Sequence, residues 1–380
     1  MIYENIVIGG GASALMFVAS LKSKKRTLIL EHNDKLGAKI LISGGGRCNF
    51  TNREISPKDY LANEEFIKPI LKRYNNRWLL RYFTQRGLEY DIKNGREYFC
   101  KNSAKELLNI LAKQILGAKV RLNQEVLSVS KVDNLFEVHT KDGIFKSKRV
   151  VVASGGLSFE KLGSSPIGYK VAESFGIQVN RLNPALVGFT LQKEQSFFKS
   201  LSGISIDCEV KVENRSFKMP ILFAHKGISG PAILNASLFW SKGVITIDFL
   251  PDFSLKKIRD SKKSIVNILP LPQRFIKAFL SEIGLKNIPI NQLTKEQWQS
   301  LQSLKNYTFA PAGTFGYSKA EVTKGGVSVD EIDNKTMQVK KVDNLFFIGE
   351  VLDVTGRLGG FNFQWAFSSA RVCAELVGSG

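Results

Sequence analysis

The fold is predicted from one stretch near the N-terminus, Ile6-Val7-Ile8-Gly9-Gly10-Gly11-Ala12-Ser13-Ala14-Leu15. The apolar residues before the glycines are typical of a buried strand, and the apolar spacing that begins at Ala14 is typical of a helix. Gly9, Gly11 and Ala14 match the spacing of small residues in a dinucleotide-binding turn. In such a turn, backbone N–H groups approach a pyrophosphate, and the N-terminus of the helix favours its negative charge.

A second apolar strand, Thr27-Leu28-Ile29-Leu30, ends in Glu31. In dinucleotide-binding folds an acid about 20 residues past the glycines hydrogen-bonds the hydroxyls of the adenosine ribose. The order of strand, glycine turn, helix and acidic strand end therefore predicts that a dinucleotide binds here.

Length and composition exclude several classes of protein. A chain of 380 residues is long enough for two or three domains, and an apolar content of 43% is that of an ordinary soluble protein. No apolar run has the length of a membrane span, and the first residues lack the pattern of a signal or transit peptide. The cysteines form no C-x-x-C pair and there are only three histidines. We therefore expect no metal site, no disulfide framework and a cytoplasmic location.

The net charge of +20 is the most informative bulk property. It favours a polyanionic partner such as RNA, or an anionic surface. The alternative is a proteome in which every protein is basic, and the charge alone leaves both interpretations open.

Part of this charge lies in residues 56–119, which the pattern predicts to be mostly helical. No acid occurs between Glu65 and Glu89, and four-residue steps place several cations along one helical face. The face is either solvated or a strip that contacts phosphates. The predicted nucleic-acid contacts in it are Lys68, Lys72, Arg73, Arg77 and Arg81.

A second glycine-rich segment, Ile42-Ser43-Gly44-Gly45-Gly46-Arg47-Cys48-Asn49, follows the acidic strand end. Three consecutive glycines exclude side chains where a flat ring or a phosphate approaches the main chain. Lys39 and Arg47 place positive charge beside this segment.

Further blocks along the chain carry a family resemblance together with these two: Gly-Ile-Ser-Gly-Pro-Ala-Ile-Leu at 227–234, Glu-Val-Thr-Lys-Gly-Gly-Val at 321–327, Phe-Ile-Gly-Glu-Val-Leu-Asp at 347–353 and Gly-Gly-Phe-Asn-Phe-Gln-Trp-Ala at 359–366. The chain resembles the bacterial YhiN/BaiN-like FAD-dependent oxidoreductases over essentially its whole length. The resemblance implies an α/β fold with a Rossmann-type, glutathione-reductase-like FAD-binding domain. It also implies an inserted β-barrel or β-sandwich domain and a small helical domain.

The pattern of strands and turns suggests where these domains begin and end. We expect the FAD-binding domain at residues 1–185 and 341–380. The β-rich domain would comprise residues 186–254 and 305–340, and the helical domain residues 255–304.

FAD is predicted to be tightly bound. The strand that ends at Glu350 and the helix that begins after Gly360 would lie beside it, and the backbone of Val126 would touch the adenine, as in glutathione-reductase-like flavoproteins. The residues predicted to contact the cofactor are Gly9, Gly11, Ala12, Ser13, Ala14, Glu31, Lys39, Ser43, Gly44, Gly45, Arg47, Cys48, Asn49, Val126, Ala153, Ser154, Gly155, Gly349, Glu350, Asp353, Gly359, Gly360, Phe361 and Asn362.

The predicted reaction is the reduction of an activated C=C bond. The sequence has no second glycine-rich strand–helix turn for NAD(P)H, so this electron donor is expected to dock transiently over the flavin. Hydride transfer to an unsaturated carbonyl compound also requires a proton donor. Cys48 and His225 are the candidates, although Cys48 is equally a packing residue and His225 a residue that orients its loop. Arg357 either binds a phosphate or forms a salt bridge.

Three functions are compatible with these features. The favoured one is reduction of a uridine in structured ribosomal RNA to dihydrouridine, which suits both the flavin chemistry and the positive charge. The second is reduction of a small unsaturated metabolite such as a steroid enone. The third is a flavin-bearing module that binds RNA or senses redox state without catalysis. The oligomeric state is not predicted.

Overall fold

The apolar stretch before the first glycine turn is a buried strand in the computed structural model, which describes residues 1–377. The strands are β1 (Ile2–Ile8), β2 (Thr27–Leu30), β3 (Asn49–Asn52), β4 (Tyr60–Leu61), β5 (Tyr90–Lys93), β6 (Glu97–Cys100), β7 (Lys119–Arg121), β8 (Val126–Val132), β9 (Leu135–Thr140), β10 (Gly143–Val152), β11 (Val179–Ala185), β12 (Phe189–Thr190), β13 (Ser205–Val212), β14 (Arg215–Ala224), β15 (Gly227–Ser229), β16 (Ile245–Asp248), β17 (Tyr307–Phe309), β18 (Gly313–Thr314), β19 (Val322–Val327), β20 (Leu345–Phe347) and β21 (Thr355–Gly356).

The helices alternate with these strands in the first part of the chain. They are α1 (Ala12–Ser20), α2 (Ala38–Gly46), α3 (Glu64–Arg73), α4 (Asn76–Thr84), α5 (Ala104–Gln114), α6 (Ile167–Ser174), α7 (Pro231–Phe239), α8 (Ile265–Ile268), α9 (Gln273–Glu282), α10 (Lys295–Gln302) and α11 (Phe361–Val377). The chain divides into a first unit, residues 1–183 and 322 onward, and a second unit, residues 184–321.

The sheet of the first unit has the strand order β7-β2-β1-β10-β9-β8, and β20 pairs with the C-terminal end of β10. Strands β7, β2, β1, β10 and β20 are parallel, with Ile8 opposite both Leu30 and Val152. Strands β8 and β9 extend the sheet in antiparallel fashion. The carboxyl ends of the parallel strands therefore meet at one edge, which is where open α/β sheets bind their ligands.

Helices α1 and α11 pack against each other beside this sheet, and both are largely buried. The buried polar side chains of α11 are satisfied within the core. Gln364 accepts a hydrogen bond from the Thr51 hydroxyl (2.6 Å) and donates to the Tyr74 carbonyl oxygen (2.9 Å). The Trp365 indole N–H donates to the Gly349 carbonyl oxygen (3.0 Å). These bonds fix the first turns of α11 against β3 and against the residues that follow α3 and β20.

The second unit is built on an antiparallel sheet with the order β17-β16-β13-β14-β15-β12-β18. Helices α8, α9 and α10 do not have a core of their own. Phe275 of α9 packs on Phe249 and Phe223, with ring centroids 4.8 and 5.7 Å apart. The residues predicted to form a separate helical domain therefore share one hydrophobic core with the β-rich part of this unit.

The chain returns to the first unit at residue 322, whereas the sequence analysis placed this return at 341. Strand β19 pairs with β11, and Val327, Met337 and Val339 lie in the core of the first unit. The apolar pattern of residues 322–340 is compatible with either core, so the sequence did not distinguish them.

The prediction that residues 56–119 are mostly helical is wrong for residues 90–100, which form the hairpin of β5 and β6. Its tight turn has Asn94 and Gly95 at φ values of 51° and 70°. The basic stretch is also interrupted, because α3 ends at Arg73 and the Asn75 side chain caps a new helix by accepting from the Trp78 N–H (3.0 Å).

Within the described residues no helix is both long and apolar enough to cross a membrane. In the same part of the chain, His, Cys, Asp and Glu side chains form no group of three that suits a metal ion. All four cysteines are buried and unpaired.

Candidate functional site

The first glycine turn connects β1 to α1 at the carboxyl edge of the parallel sheet. Gly9 has a φ of 101°, and a Cβ atom there would lie 2.6 Å from the Ala153 carbonyl oxygen, so only glycine fits. Gly11 differs, because a Cβ atom at Gly11 would meet nothing within 4 Å. No side chain caps the N-terminus of α1. Open space beside Gly11 and a helix N-terminus without a side-chain cap are what the pyrophosphate of a dinucleotide requires.

Glu31 lies directly beneath this turn and is buried. Its Oε2 atom accepts a hydrogen bond from the Gly10 N–H (2.6 Å), and its Oε1 atom accepts from the Asn33 N–H (2.8 Å). The carboxylate therefore fixes the glycine turn from within the protein. Sequence reasoning did not foresee this contact, although the three consecutive glycines indicated close packing. A hydrogen bond from Glu31 to a ribose stays a prediction.

Val126 lies close to the same strand end. The Gln124 N–H, two residues earlier in the chain, donates to the Glu31 carbonyl oxygen (2.8 Å). The start of β8 and the end of β2 are thus neighbours, as the predicted adenine contact requires.

The second glycine-rich segment interrupts α2. Ser43 has extended backbone angles, and Gly44 and Gly45 have φ values of 57° and 67°. A Cβ atom at Gly44 would lie 2.8 Å from the Asn49 backbone nitrogen, whereas one at Gly45 would meet nothing within 4 Å. Gly45 is exposed. Its bare backbone, like that of Gly11, is free for a ligand to approach.

The cations predicted to lie near the cofactor are bound to acids of the protein. Lys39 Nζ lies 2.7 Å from Glu350 Oε2, and Glu350 Oε1 accepts from the Thr323 N–H (3.0 Å). Arg47 pairs with Asp91. The charges of Lys39 and Arg47 are therefore balanced by acids of the protein.

Thr323 is a residue of this network that sequence reasoning missed. Its hydroxyl accepts from the Leu157 N–H (2.8 Å) and contacts the Ser158 hydroxyl at 3.1 Å. A Cβ atom at Gly156 would lie 2.6 Å from the same hydroxyl oxygen. Thr323 thus connects the loop after β10, which holds the predicted contacts Ala153, Ser154 and Gly155, to Glu350.

The start of α11 borders the glycine segment. A Cβ atom at Gly360 would lie 2.6 Å from the Thr51 carbonyl oxygen and 2.7 Å from Asn49 Oδ1. The Asn362 side chain accepts from the Gly356 N–H (2.8 Å), and Asp353 accepts from the Asn180 side chain (2.7 Å). Burial raises the pKa of the Asp353 carboxyl. The structure thus brings the predicted contacts of residues 43–49 and 359–362 together.

The two candidate proton donors lie in different environments. Cys48 has no exposed surface and contacts the Cys100 side chain, and burial raises the pKa of its thiol well above the usual range. This position favours the packing role. His225 is exposed in the tight turn between β14 and β15 of the second unit.

The predicted phosphate-contacting strip is divided between two helices. Lys68, Lys72 and Arg73 are on α3, and Arg77 and Arg81 are on α4. The expectation that these cations share one face of a single helix is therefore wrong.

Three cations predicted to contact nucleic acid lie within ion-pair distance of acids of the protein. Arg73 pairs with Glu375, and Arg357 pairs with Asp59. Lys68 lies 3.9 Å from Glu65. Within residues 1–377, Lys72, Arg77 and Arg81 form no ion pair. For Arg357 the structure favours the salt bridge over a phosphate contact.

The parallel sheet, the two glycine segments and the helix N-terminus at its carboxyl edge define a Rossmann-type dinucleotide-binding fold. The chain belongs to the family described as the HI0933-like protein Rossmann domain, whose model matches residues 3–376. This match confirms the predicted fold class and the resemblance to YhiN/BaiN-like proteins.

Sequence similarity to named relatives extends over almost the whole chain. It is 38% identical to the "Ribosomal RNA dihydrouridine synthase" of Haemophilus influenzae, covering 98% of both chains. It is 28% identical to the "3-dehydro-bile acid delta(4,6)-reductase" of Clostridium scindens, again covering 98% of both. Among solved structures, a 3-ketosteroid-Δ4-(5α)-dehydrogenase from Rhodococcus jostii has a TM-score of 0.54 at 12% identity and covers 99% of this chain and 97% of its own. The last similarity concerns the fold alone.

Proposed function

We propose that this protein reduces the C5=C6 bond of a uridine in ribosomal RNA and so forms dihydrouridine. The observation that carries the proposal is the 38% identity, over 98% of both chains, to a relative named as a ribosomal RNA dihydrouridine synthase. The net charge of +20 supports it, because a polyanionic substrate gains affinity from surplus lysine and arginine.

FAD fits the residues at the carboxyl edge of the sheet. The N–H groups of the first turn of α1 would hold the pyrophosphate, and the bare backbones of Gly11 and Gly45 allow close approach. When bound, reduced FAD supplies hydride chemistry to an electron-poor C=C bond. Glu31 keeps the glycine turn in place, and Lys39 and Glu350 neutralise each other beside it.

A proton must reach the carbon next to the one that receives hydride. We propose His225 as its donor, because the side chain is exposed whereas the Cys48 thiol is fully buried. A His225→Gln variant would then keep its FAD and lose turnover, while a Cys48→Ala variant would retain turnover. Equal turnover of His225→Gln and wild type would exclude this role.

NAD(P)H is proposed as the electron donor. Since a single dinucleotide-binding turn is assigned to FAD, NAD(P)H and the RNA would use the same face of the flavin in succession. Initial-rate lines at several fixed RNA concentrations are then expected to be parallel, and intersecting lines would contradict shared occupancy.

The substrate is tested with purified holoprotein, NAD(P)H and ribosomal RNA isolated from cells that lack the protein. Mass spectrometry of the digested RNA should show a uridine that has gained two hydrogens at one position. RNA from wild-type cells, which already carries the modification, is the matched control. An unchanged digest, together with NAD(P)H oxidation that depends only on small enones, would refute the RNA substrate.

Reduction of a small enone is the second candidate. It is supported by the 28% identical relative named as a bile acid reductase. Under this function, added RNA would neither be modified nor inhibit turnover of a steroid enone.

A further inference from the structure

A short segment of the second unit carries a dense group of cations. Residues 256–263, here called the lysine segment, contain five cations and one acid, Asp260. All five cations are exposed: Lys256, Lys257, Arg259, Lys262 and Lys263.

The cations of the lysine segment have no acidic partner among residues 1–377. Elsewhere in the same unit, Lys218 pairs with Asp252, and Lys305 lies 3.1 Å from Asp248. Because like charges repel, five cations with a single acid among them oppose the compact state. Ion pairing within the fold therefore does not account for these lysines.

The backbone of the lysine segment is nevertheless held in place. The Ile290 N–H donates to the Lys263 carbonyl oxygen (3.1 Å), and the Asn291 N–H donates to the Ser261 carbonyl oxygen (3.0 Å). Leu255 and Ile265, which flank the segment, are buried in the core of the second unit. The cationic side chains are thus attached to a backbone that is held by hydrogen bonds and by buried flanking residues.

A neighbouring segment, residues 286–291, adds one more cation to this surface. Residues 286–291 run beside residues 261–266, and the Ile265 N–H donates to the Ile288 carbonyl oxygen (3.2 Å). Lys286 is exposed at the start of this neighbour. The Arg259 guanidinium lies over the Trp298 ring, 5.8 Å from its centroid.

We propose that the lysine segment binds phosphates of the RNA substrate, in addition to any contacts made by helices α3 and α4. The inference rests on the proposed RNA substrate. Lysines that contact phosphates position an RNA without reading its sequence. An anionic membrane is disfavoured, because the segment contains a single partly buried apolar residue, Ile258, and no long amphipathic helix.

The test compares two variants with the same change in net charge. The first is Lys256→Gln, Lys257→Gln, Lys262→Gln and Lys263→Gln together. The control replaces four lysines that pair with acids, as Lys141→Gln, Lys146→Gln, Lys211→Gln and Lys218→Gln. Both holoproteins should keep the flavin absorbance and the melting temperature of wild type.

Binding of a ribosomal RNA fragment is measured at several salt concentrations. Each lost phosphate contact reduces the slope of log Kd against log salt by about 0.7 to 0.9. The variant lacks four of these lysines, so its slope should be smaller by up to about 2.8 to 3.6, and it should bind about tenfold or more weakly near physiological salt. The control should bind nearly as wild type does.

The outcomes separate this inference from the proposed function. If wild type binds RNA with a steep salt dependence and both variants bind equally, the lysine segment is not a contact surface and the RNA substrate stands. If wild type does not bind RNA, the proposed RNA substrate is refuted, and the inference that rests on it is refuted as well. Vesicles of phosphatidylserine and phosphatidylcholine serve as a second probe. Loss of vesicle binding with unchanged RNA binding would overturn the inference in favour of a lipid surface.

Discussion

Replacing Gly11 by alanine is expected to weaken FAD binding with little effect on the stability of the apoprotein. The backbone of Gly11 has φ −83° and ψ −167°, which any residue adopts, and an added Cβ atom would meet nothing within 4 Å. The apoprotein of Gly11→Ala should therefore be as stable as wild type to within about 1 kcal/mol. Alanine restricts the unfolded chain, which stabilises by about 0.4 to 1 kcal/mol, but it is a poorer residue than glycine at the N-cap of α1.

The same methyl group would lie where the pyrophosphate of FAD is proposed to approach the backbone. Displacing the phosphates would weaken one or two charge-assisted hydrogen bonds, each worth about 1.5 to 3 kcal/mol. The Kd for FAD should then rise by about 10- to 100-fold or more, since about 1.4 kcal/mol corresponds to a factor of ten.

Gly9→Ala is the matched comparison. With φ at 101° and a Cβ atom 2.6 Å from the Ala153 carbonyl oxygen, alanine is strained at this position whether or not FAD is bound. The apoprotein should lose more than about 2 kcal/mol, because the left-handed conformation alone costs about 1 to 2 kcal/mol.

Urea unfolding of the apoproteins and titration with FAD, followed by flavin fluorescence, measure the two quantities independently. The reasoning is refuted if Gly11→Ala binds FAD as tightly as wild type. It is also refuted if the apoprotein of Gly11→Ala is destabilised as much as that of Gly9→Ala.

Three further predictions concern buried groups. Because Cys48 is fully buried and its pKa is raised by that burial, iodoacetamide should not alkylate it in the folded protein but should do so in urea; a labelled Cys48 peptide from folded protein would contradict this. Burial also raises the pKa of Asp353, so the folded chain holds that proton to higher pH than the unfolded chain. Stability of the wild-type apoprotein relative to Asp353→Asn should therefore fall as the pH rises above the ordinary Asp range of about 4, as urea unfolding at successive pH values would show; a constant difference would contradict the assignment. Gln364→Leu leaves the buried Thr51 hydroxyl without its acceptor and should cost about 1 to 3 kcal/mol in urea unfolding, whereas no measurable cost would show that the core rearranges.

The part of the fold that the sequence predicts is the part governed by short-range rules. An apolar strand, a glycine turn and an apolar helix are contiguous in residues 6–15, so β1, the turn and α1 follow from local pattern. The final helix after Gly360 follows in the same way. The hairpin at residues 90–100 was missed, although Asn94-Gly95 is a favourable pair for a two-residue hairpin turn.

Contacts between distant segments were not predictable from the sequence. The bond from the Gly10 N–H to Glu31 and the network from Lys39 through Glu350 to Thr323 depend on which strand ends meet at the sheet edge. The chain re-enters the first unit at residue 322 because the apolar residues of 322–340 pack in the core of that unit and not in the core of the second unit. Apolar periodicity predicts that one face of a segment is buried, but it does not predict which part of the protein covers that face.

The cations near the proposed cofactor site differ from those of the lysine segment in their ion pairing. Lys39 and Arg47 were expected to place positive charge beside the cofactor, and Arg357 either to bind a phosphate or to form a salt bridge. Each is paired with an acid, whereas the cations of the lysine segment are not. A paired cation contributes little to the field beyond its partner, while unpaired cations add together over roughly a Debye length of about 8 Å at physiological salt. Salt should therefore screen the unpaired surface strongly, and it should act weakly on FAD, which we propose is held by backbone N–H groups. The two binding functions proposed for this chain thus differ in physical origin, and ionic strength separates them.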